Sequence, residues 1–195
     1  MNDLRPVLLP LPLTHQAVFA ALTCVRLLPS VERFDQEEPE KGAPVFRTAI
    51  AALCAFGAQQ AVAPSQWARL QEQLEGFWPD LDETTNPFAS YAFDACVALG
   101  EALALVQSGE PEHVLQCATA ARDTVDMYVQ DVTGVELPPD QLNAFVDATP
   151  EMQREVARQH ALAQALATER PLTAAAVEQL RAQGGNEPLI DLTVL

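Results

Sequence analysis

The stretch NPFASYAFDACVALGEALALVQSG, residues 86–109, determines the fold that the sequence predicts. Asn86 is a favoured N-cap residue, and Pro87 fits the first helical position, where its missing N–H would have no partner anyway. Gly109 can adopt the left-handed conformation that ends many helices. We therefore predict a helix over residues 86–109.

Apolar residues cover most of the circumference of this predicted helix. One apolar face recurs at alternating steps of four and three residues and comprises Phe88, Ala92, Ala95, Leu99, Ala102 and Val106. A second apolar line follows another face, so only a thin polar seam remains, formed by Ser90, Asp94, Glu101 and Ser108. A surface helix has a broad polar side, so this helix is predicted to be central and wrapped by others.

The rest of the chain predicts one all-α domain over residues 1–195, a multi-helix bundle around the central helix. The length of 195 residues suffices for one core, and frequent Ala with only eight Gly favours helices. Residues 1–13 are predicted to form an extended arm, and residues 186–195 a C-terminal tail containing a short β-strand. The other predicted helices cover residues 14–28 (ended by Pro29), 44 to before Pro64, 65–74, 111–133, 140–145, 151–168 and 172–183.

The net charge of −16 limits the partners that the chain can bind. Nucleic acid and anionic membranes both require basic patches, so neither is expected as a partner, whereas an unidentified protein partner remains open. The Leu4–Leu28 region lacks a convincing leader pattern, and no window approaches an uninterrupted apolar span. We therefore expect a cytoplasmic protein with reduced thiols.

Three residues form the best available metal-binding pattern. His113 and Cys117 lie four residues apart on one predicted helix, and Cys96 lies on the central helix, which is predicted to pack antiparallel against it. Three such ligands would suit zinc. The preferred interpretation is nevertheless that the four cysteines pack in the core, so no metal and no cofactor are expected.

Asp94 and Glu101 are the acidic residues of the most apolar stretch, seven residues apart on one face. A buried Asp94 has to be satisfied, either by capping a neighbouring helix or by pairing with an arginine such as Arg26 or Arg47. If the two carboxylates instead line a cleft, they could act as acid and base or bind a cation. The structural role is preferred.

The biochemical function stays unknown from these residues. We expect a non-enzymatic protein-interaction or structural module. No phosphate-binding glycine loop, nucleophile elbow or His-Glu-x-x-His motif is present, so no catalytic residue is assigned. The alternative is a small metal-binding protein or enzyme that uses carboxylate, Cys and His groups on the central helix pair.

One motif resembles a known family. The segment YAFDACVAL, residues 91–99, resembles the central Asp-Ala-Cys-Val-Ala-Leu motif of the YjaG-like bacterial family, domain of unknown function 416. Residues 16–29, with Cys24, Arg26 and Pro29, and residues 185–186 before an apolar tail are also similar to it. Val25 stands where the family has an acidic residue, and between residues 140 and 170 the similarity is in helical character only.

This resemblance implies a single all-α cytosolic bacterial domain. It implies no activity, because none is established for the family, and it assigns no catalytic residue. Arg26, Asp94 and Cys96 are marked only as positions of the family motif, with unknown roles.

The C-terminal tail leads to an expectation about assembly. Ile190, Leu192 and Val194 would lie on one side of a strand, yet an all-α chain offers that strand no sheet to join. Pairing with the same tail across a two-fold axis would satisfy the exposed edge, so a homodimer is expected. The competing interpretation is that the tail lies in a groove of its own domain.

Overall fold

Helices account for the regular secondary structure of the computed structural model, which describes residues 3–38, 41–185 and 187–195. Within these ranges there is no β-strand, so the predicted all-α fold is confirmed. The helices are α1 (Arg5–Leu8), α2 (Leu13–Phe34), α3 (Ala43–Gly57), α4 (Pro64–Glu75), α5 (Ala89–Ser108), α6 (Glu112–Thr133), α7 (Pro139–Asp147), α8 (Pro150–Thr168) and α9 (Ala174–Leu180), followed by a π-helical turn at Arg181–Gly185.

Two helices share the centre of the bundle. The predicted core helix α5 packs against α2, α3, α4 and α6. However, α2 is the more deeply buried helix, because every residue from position 15 to position 27 is buried. It contacts α3, α5, α6 and α8. A buried stripe on one side was expected for α2, so its burial on all sides exceeds the prediction.

The start of α5 differs from the prediction, whereas its end agrees with it. Asn86 does not cap the helix: its side-chain oxygen accepts the N–H of Phe88 at 3.0 Å, and its amide donates to the carbonyl of Phe34 at 3.2 Å. The helix therefore begins at Ala89, after a turn that Asn86 ties to the end of α2. Gly109 ends the helix with a φ of 75°, as predicted, and α5 and α6 form the expected antiparallel hairpin.

Pro29 was predicted to end α2, but the helix continues to Phe34. A proline inside a helix costs about 3 kcal/mol, because it removes one hydrogen bond and crowds the preceding turn. Beyond the proline, Val31 and Phe34 are buried, and each buried side chain of this size contributes about 1.5–3 kcal/mol. Burial of these two side chains therefore offsets the cost of the proline.

The N-terminal arm and the C-terminal tail are also corrected. The arm contains α1, with Pro6 in its first turn and with Leu4, Leu8 and Leu11 buried. The described part of the tail has no strand: Leu189 and Ile190 are buried in their own domain, whereas Val194 is exposed. Without a strand, the tail has no regular edge to pair, although self-association itself stays a prediction. Residues 1, 2 and 186, also assigned to the arm and the tail, lie outside the described residues.

By length and composition alone, α5 is apolar enough to span a membrane, with a mean hydropathy of 1.5 in its most apolar window. This departs from the expectation that no segment approaches such a span. More than half of that window, 56%, is buried against the rest of the domain. A core helix that is mostly buried in its own domain has the same length and composition, and α5 is mostly buried.

Two helical glycines differ in the space around them and give a test of this packing. A Cβ atom on Gly57 would overlap Cγ2 of the fully buried Val18, so Gly57→Ala is expected to lower the free energy of unfolding by about 1–3 kcal/mol. A Cβ on Gly100 would contact Trp78 at an ordinary 3.7 Å. Gly100→Ala should therefore stabilise the protein by about 0.5–1 kcal/mol through helix propensity. Urea unfolding measures both changes, and equal effects would contradict the packing described.

Candidate functional site

A fully buried ion pair joins α2 to α8. The two terminal nitrogens of the Arg26 guanidinium contact the two carboxylate oxygens of Glu155, with Nη2 donating to Oε1 at 2.9 Å. The side chains are only 3% and 2% exposed. The amide of Gln159 donates to Glu155 Oε1 at 2.7 Å and to the carbonyl of Ala118 at 2.9 Å. One polar network therefore links α2, α8 and α6 inside the core.

This network corrects the predicted pairing of Asp94. Neither arginine suggested as its partner contacts it, because Arg26 pairs with Glu155 and Arg47 pairs with Glu32 at 2.5 Å. Asp94 is half-buried and accepts a hydrogen bond from the Thr124 hydroxyl at 3.1 Å. The pair of the family-motif residues Arg26 and Asp94 is therefore not formed.

The environment of Asp94 disfavours its charged form. Burial raises the pKa of this carboxyl from 3.8 to about 6. The hydrogen bond from Thr124 opposes the rise, and the negative charge of Asp123 adds to it. Glu101 is engaged separately, with a carboxylate oxygen 2.7 Å from Nδ1 of His113. The two acidic residues of α5 therefore have different partners.

The cysteine and histidine candidates for a metal site have separate surroundings. Cys117 is fully buried beside Cys24 of α2, which raises its thiol pKa, and its sulfur lies 3.9 Å from the carbonyl of Ala20. Cys96 is buried, which also raises its thiol pKa, whereas His113 is partly exposed beside Glu101. Across residues 3–38, 41–185 and 187–195, no three His, Cys, Asp or Glu side chains converge as metal ligands would. A zinc site built from these residues gains no support.

Other buried polar groups connect helices. The carboxylate of Asp35 accepts the N–H groups of Gly42 and Ala43, each at 2.9 Å, and so caps the start of α3. The imidazole of His15 lies 2.9 Å from the carbonyl of Glu169 at the end of α8. Neither role was predicted from the sequence. For Asp35, its position just before the loop into α3 was the available signal.

A cavity of about 220 Å³ lies between α2, α8 and α9. Its walls are mostly apolar, and Arg26 and Arg158 are the charged residues that line it. Gln183 adds a further polar group. The apolar part of the wall comes from Leu22, Ala161, Leu162, Ala165 and Leu180.

Arg158 is the less well compensated of the two arginines. Burial lowers the pKa of its guanidinium, the neighbouring charge of Arg26 lowers it further, and Glu155 opposes the change. Its ion-pair partner is Glu187 of the C-terminal tail, whose side chain is 71% exposed. The positive charge of Arg158 is therefore partly buried, and the negative charge paired with it, that of Glu187, is exposed to solvent.

The sequence contained a signal for this site that was missed. Glu155, Arg158, Gln159 and Leu162 follow each other at steps of three, one and three residues, so they share one face of α8. Polar residues on the face that packs inward usually have buried partners. This face lies in residues 140–170, where the family resemblance was weakest.

The fold and the site define a single-domain, all-α helical protein with a polar network in its core and a small cavity beside it. The family described as "Protein of unknown function (DUF416)" matches residues 7–188. The chain therefore belongs to the DUF416 family, as the resemblance predicted. The narrower YjaG-like label stays an expectation.

Solved structures support the same fold. A DUF416 family protein from Shewanella baltica OS155 superimposes with a TM-score of 0.81 at 23% sequence identity. The similarity covers 93% of this chain and 92% of the other. At this identity the similarity shows a shared fold. No curated protein matches the chain.

The pKa of Asp94 gives a pH-dependent prediction. The folded protein binds the Asp94 proton more tightly than the unfolded chain, so the free energy of unfolding should fall as pH rises from about 4 to about 6. Asp94→Asn keeps an acceptor for Thr124 but cannot ionise. The stability of this variant relative to the wild type should therefore increase between pH 4 and pH 7 in urea unfolding. A constant difference would place the Asp94 carboxylate in water.

Proposed function

We propose that this protein is a non-enzymatic binding module that holds a small, largely apolar ligand in the cavity between α2, α8 and α9. The observation that carries the proposal is the pair of arginines, Arg26 and Arg158, in an otherwise mostly apolar wall. Binding sites for small molecules combine apolar walls with a few polar groups that orient the ligand. This cavity has that composition.

The size of the cavity restricts the ligand. At about 220 Å³ it is smaller than the usual range for drug-sized ligands, which begins at about 300 Å³. A dinucleotide or a long acyl chain would not fit inside. A ligand on the order of ten non-hydrogen atoms matches the space, with part of it reaching the cavity mouth.

The chemistry of the surrounding groups favours binding over catalysis. An arginine side chain stays protonated near neutral pH and cannot exchange protons with a substrate. The buried carboxylate that pairs with a cavity arginine, that of Glu155, is held by the two terminal nitrogens of Arg26 and by Gln159. A group held this firmly positions helices, and a general base must be able to reach the substrate.

Several expectations from the sequence belong to this proposal. We infer a cytoplasmic location in a bacterium, supported by the four free cysteines and by the Shewanella origin of the similar structure. An unidentified protein partner and a homodimer remain predictions, as does the expectation that neither nucleic acid nor membrane is a partner. The alternative of a small metal-binding protein or enzyme also remains a prediction, one that a metal analysis of the purified protein would test.

Filling the cavity tests the proposed function. Ala165 is half-buried and lines the cavity, so Ala165→Leu places three more carbon atoms in the empty space and should abolish binding. The probe is 4-fluorotoluene, a neutral apolar molecule whose ¹⁹F NMR line broadens when it binds. We expect broadening with the wild type and none with Ala165→Leu.

The matched control is Ala167→Leu, which makes the same change on the exposed side of α8. This variant should broaden the probe signal as the wild type does. Circular dichroism and urea unfolding check that both variants fold, and the filled variant should lose no stability because the leucine occupies a void. Equal broadening with all three proteins would refute the cavity as the binding site.

A further inference from the structure

The C-terminal tail places a carboxylate, that of Glu187, beside the cavity residue Arg158. Glu187 forms an ion pair with Arg158, and Arg158 lines both the cavity and the surface groove along residues 187–193. The tail is fixed nearby, because the N–H of Leu189 donates to the carbonyl of Arg26 at 3.1 Å and the Leu189 and Ile190 side chains are buried. The Glu187 carboxylate is therefore held close to the cavity, whereas none of residues 187–195 lines the cavity itself.

We propose that the ligand is a monocarboxylate with an apolar chain of about six to ten carbons, and that Glu187 competes with its carboxylate for Arg158. This inference rests on the proposed function. The chain of the ligand would lie against Leu22, Leu162 and Leu180, and its carboxylate would meet the guanidinium of Arg158.

The two arginines differ in a way that selects Arg158 as the recognition group. Arg26 is saturated by a carboxylate that is only 2% exposed, so its partner cannot leave without exposing a buried charge. The partner of Arg158 is 71% exposed, and an ion pair at the surface is weak because water screens it. A ligand carboxylate can therefore replace Glu187, whereas Glu155 stays in place.

The exchange favours the ligand because only the ligand also fills the cavity. Both carboxylates offer the guanidinium the same planar pair of oxygens. The ligand adds an apolar chain that leaves water for the apolar wall, and the side chain of Glu187 has no such extension. Glu187 returns to Arg158 when the ligand leaves, so the charge in the wall is neutralised in both states.

Other ligand charges fit the site less well. A cation would be repelled by the positive charges of Arg26 and Arg158. A di- or trianion needs more donors than a single replaceable ion pair provides, and the net charge of −16 repels it more strongly than a monoanion. An uncharged ligand would leave the ion pair of Arg158 with Glu187 in place and gain only from the apolar wall.

The experiment compares octanoate with 1-octanol, its uncharged counterpart, by isothermal titration calorimetry. The variant Arg158→Met removes the charge but keeps an apolar chain of similar length. Its control is Arg154→Met, one turn earlier on the same helix and outside the cavity lining. Glu187→Gln removes the competitor, and Glu136→Gln makes the same charge change at an exposed site elsewhere.

We expect the wild type to bind octanoate at least about tenfold more tightly than 1-octanol, since a charge-assisted hydrogen bond from the partly buried Arg158 to the ligand is stronger than the screened surface ion pair with Glu187 that it replaces. Arg158→Met should remove this preference, and Arg154→Met should keep it. Glu187→Gln should tighten octanoate binding about 2–5-fold, the range for loss of a weak surface ion pair, without changing 1-octanol binding. Glu136→Gln should leave both affinities unchanged.

Three results would overturn the inference. Equal affinity for octanoate and 1-octanol, or an unchanged preference in Arg158→Met, would overturn the ligand class. An unchanged octanoate affinity in Glu187→Gln would overturn the competition. Binding of 4-fluorotoluene separates these results from failure of the proposed function, because a cavity that binds this neutral probe remains a binding site. The same probe, still bound by Arg158→Met, shows that this variant is folded with its cavity intact.

Discussion

Two opposite charges inside the helix bundle, those of Arg26 and Glu155, fix the position of α8. Moving each ion out of water costs several kcal/mol of free energy, and only a well-formed pair with further hydrogen bonds offsets this cost. Here both oxygens of Glu155 meet the guanidinium, and Gln159 adds a bond to one of them. Gln159 also holds the carbonyl of Ala118, so α8 can pack in this way only while α2 and α6 stay in register.

The cavity and the tail depend on this arrangement. Arg26 uses its side chain to hold α8 and its backbone carbonyl to hold Leu189 of the tail. Pro29 follows Arg26 by three residues, so this carbonyl lies in the turn that the proline ring crowds. The tail then places Glu187 on Arg158 at the edge of the cavity. The residue that organises the core therefore also positions the proposed ligand site.

The features that were predicted correctly from the sequence are those that depend on neighbouring residues in the chain. Apolar periodicity defined α5, and Gly109 marked its end, because both signals act within a few residues. The partner of Arg26 lies 129 residues away, and no local pattern joins the two positions. The continuation of α2 past Pro29 was missed for the same reason, since it depends on side chains that are buried by other helices. The cavity could not be predicted because its walls come from three separate segments.

The central claim, that the Arg26–Glu155 pair holds α8 in place, is tested most directly by a double-mutant cycle in urea unfolding. Arg26→Met and Glu155→Leu should each lower the free energy of unfolding by about 3–5 kcal/mol, because each leaves a buried charge unpaired. The double variant, with two apolar side chains, should cost less than either single one, so that the coupling is large. Additive losses, with the double variant the least stable of the three, would contradict the account.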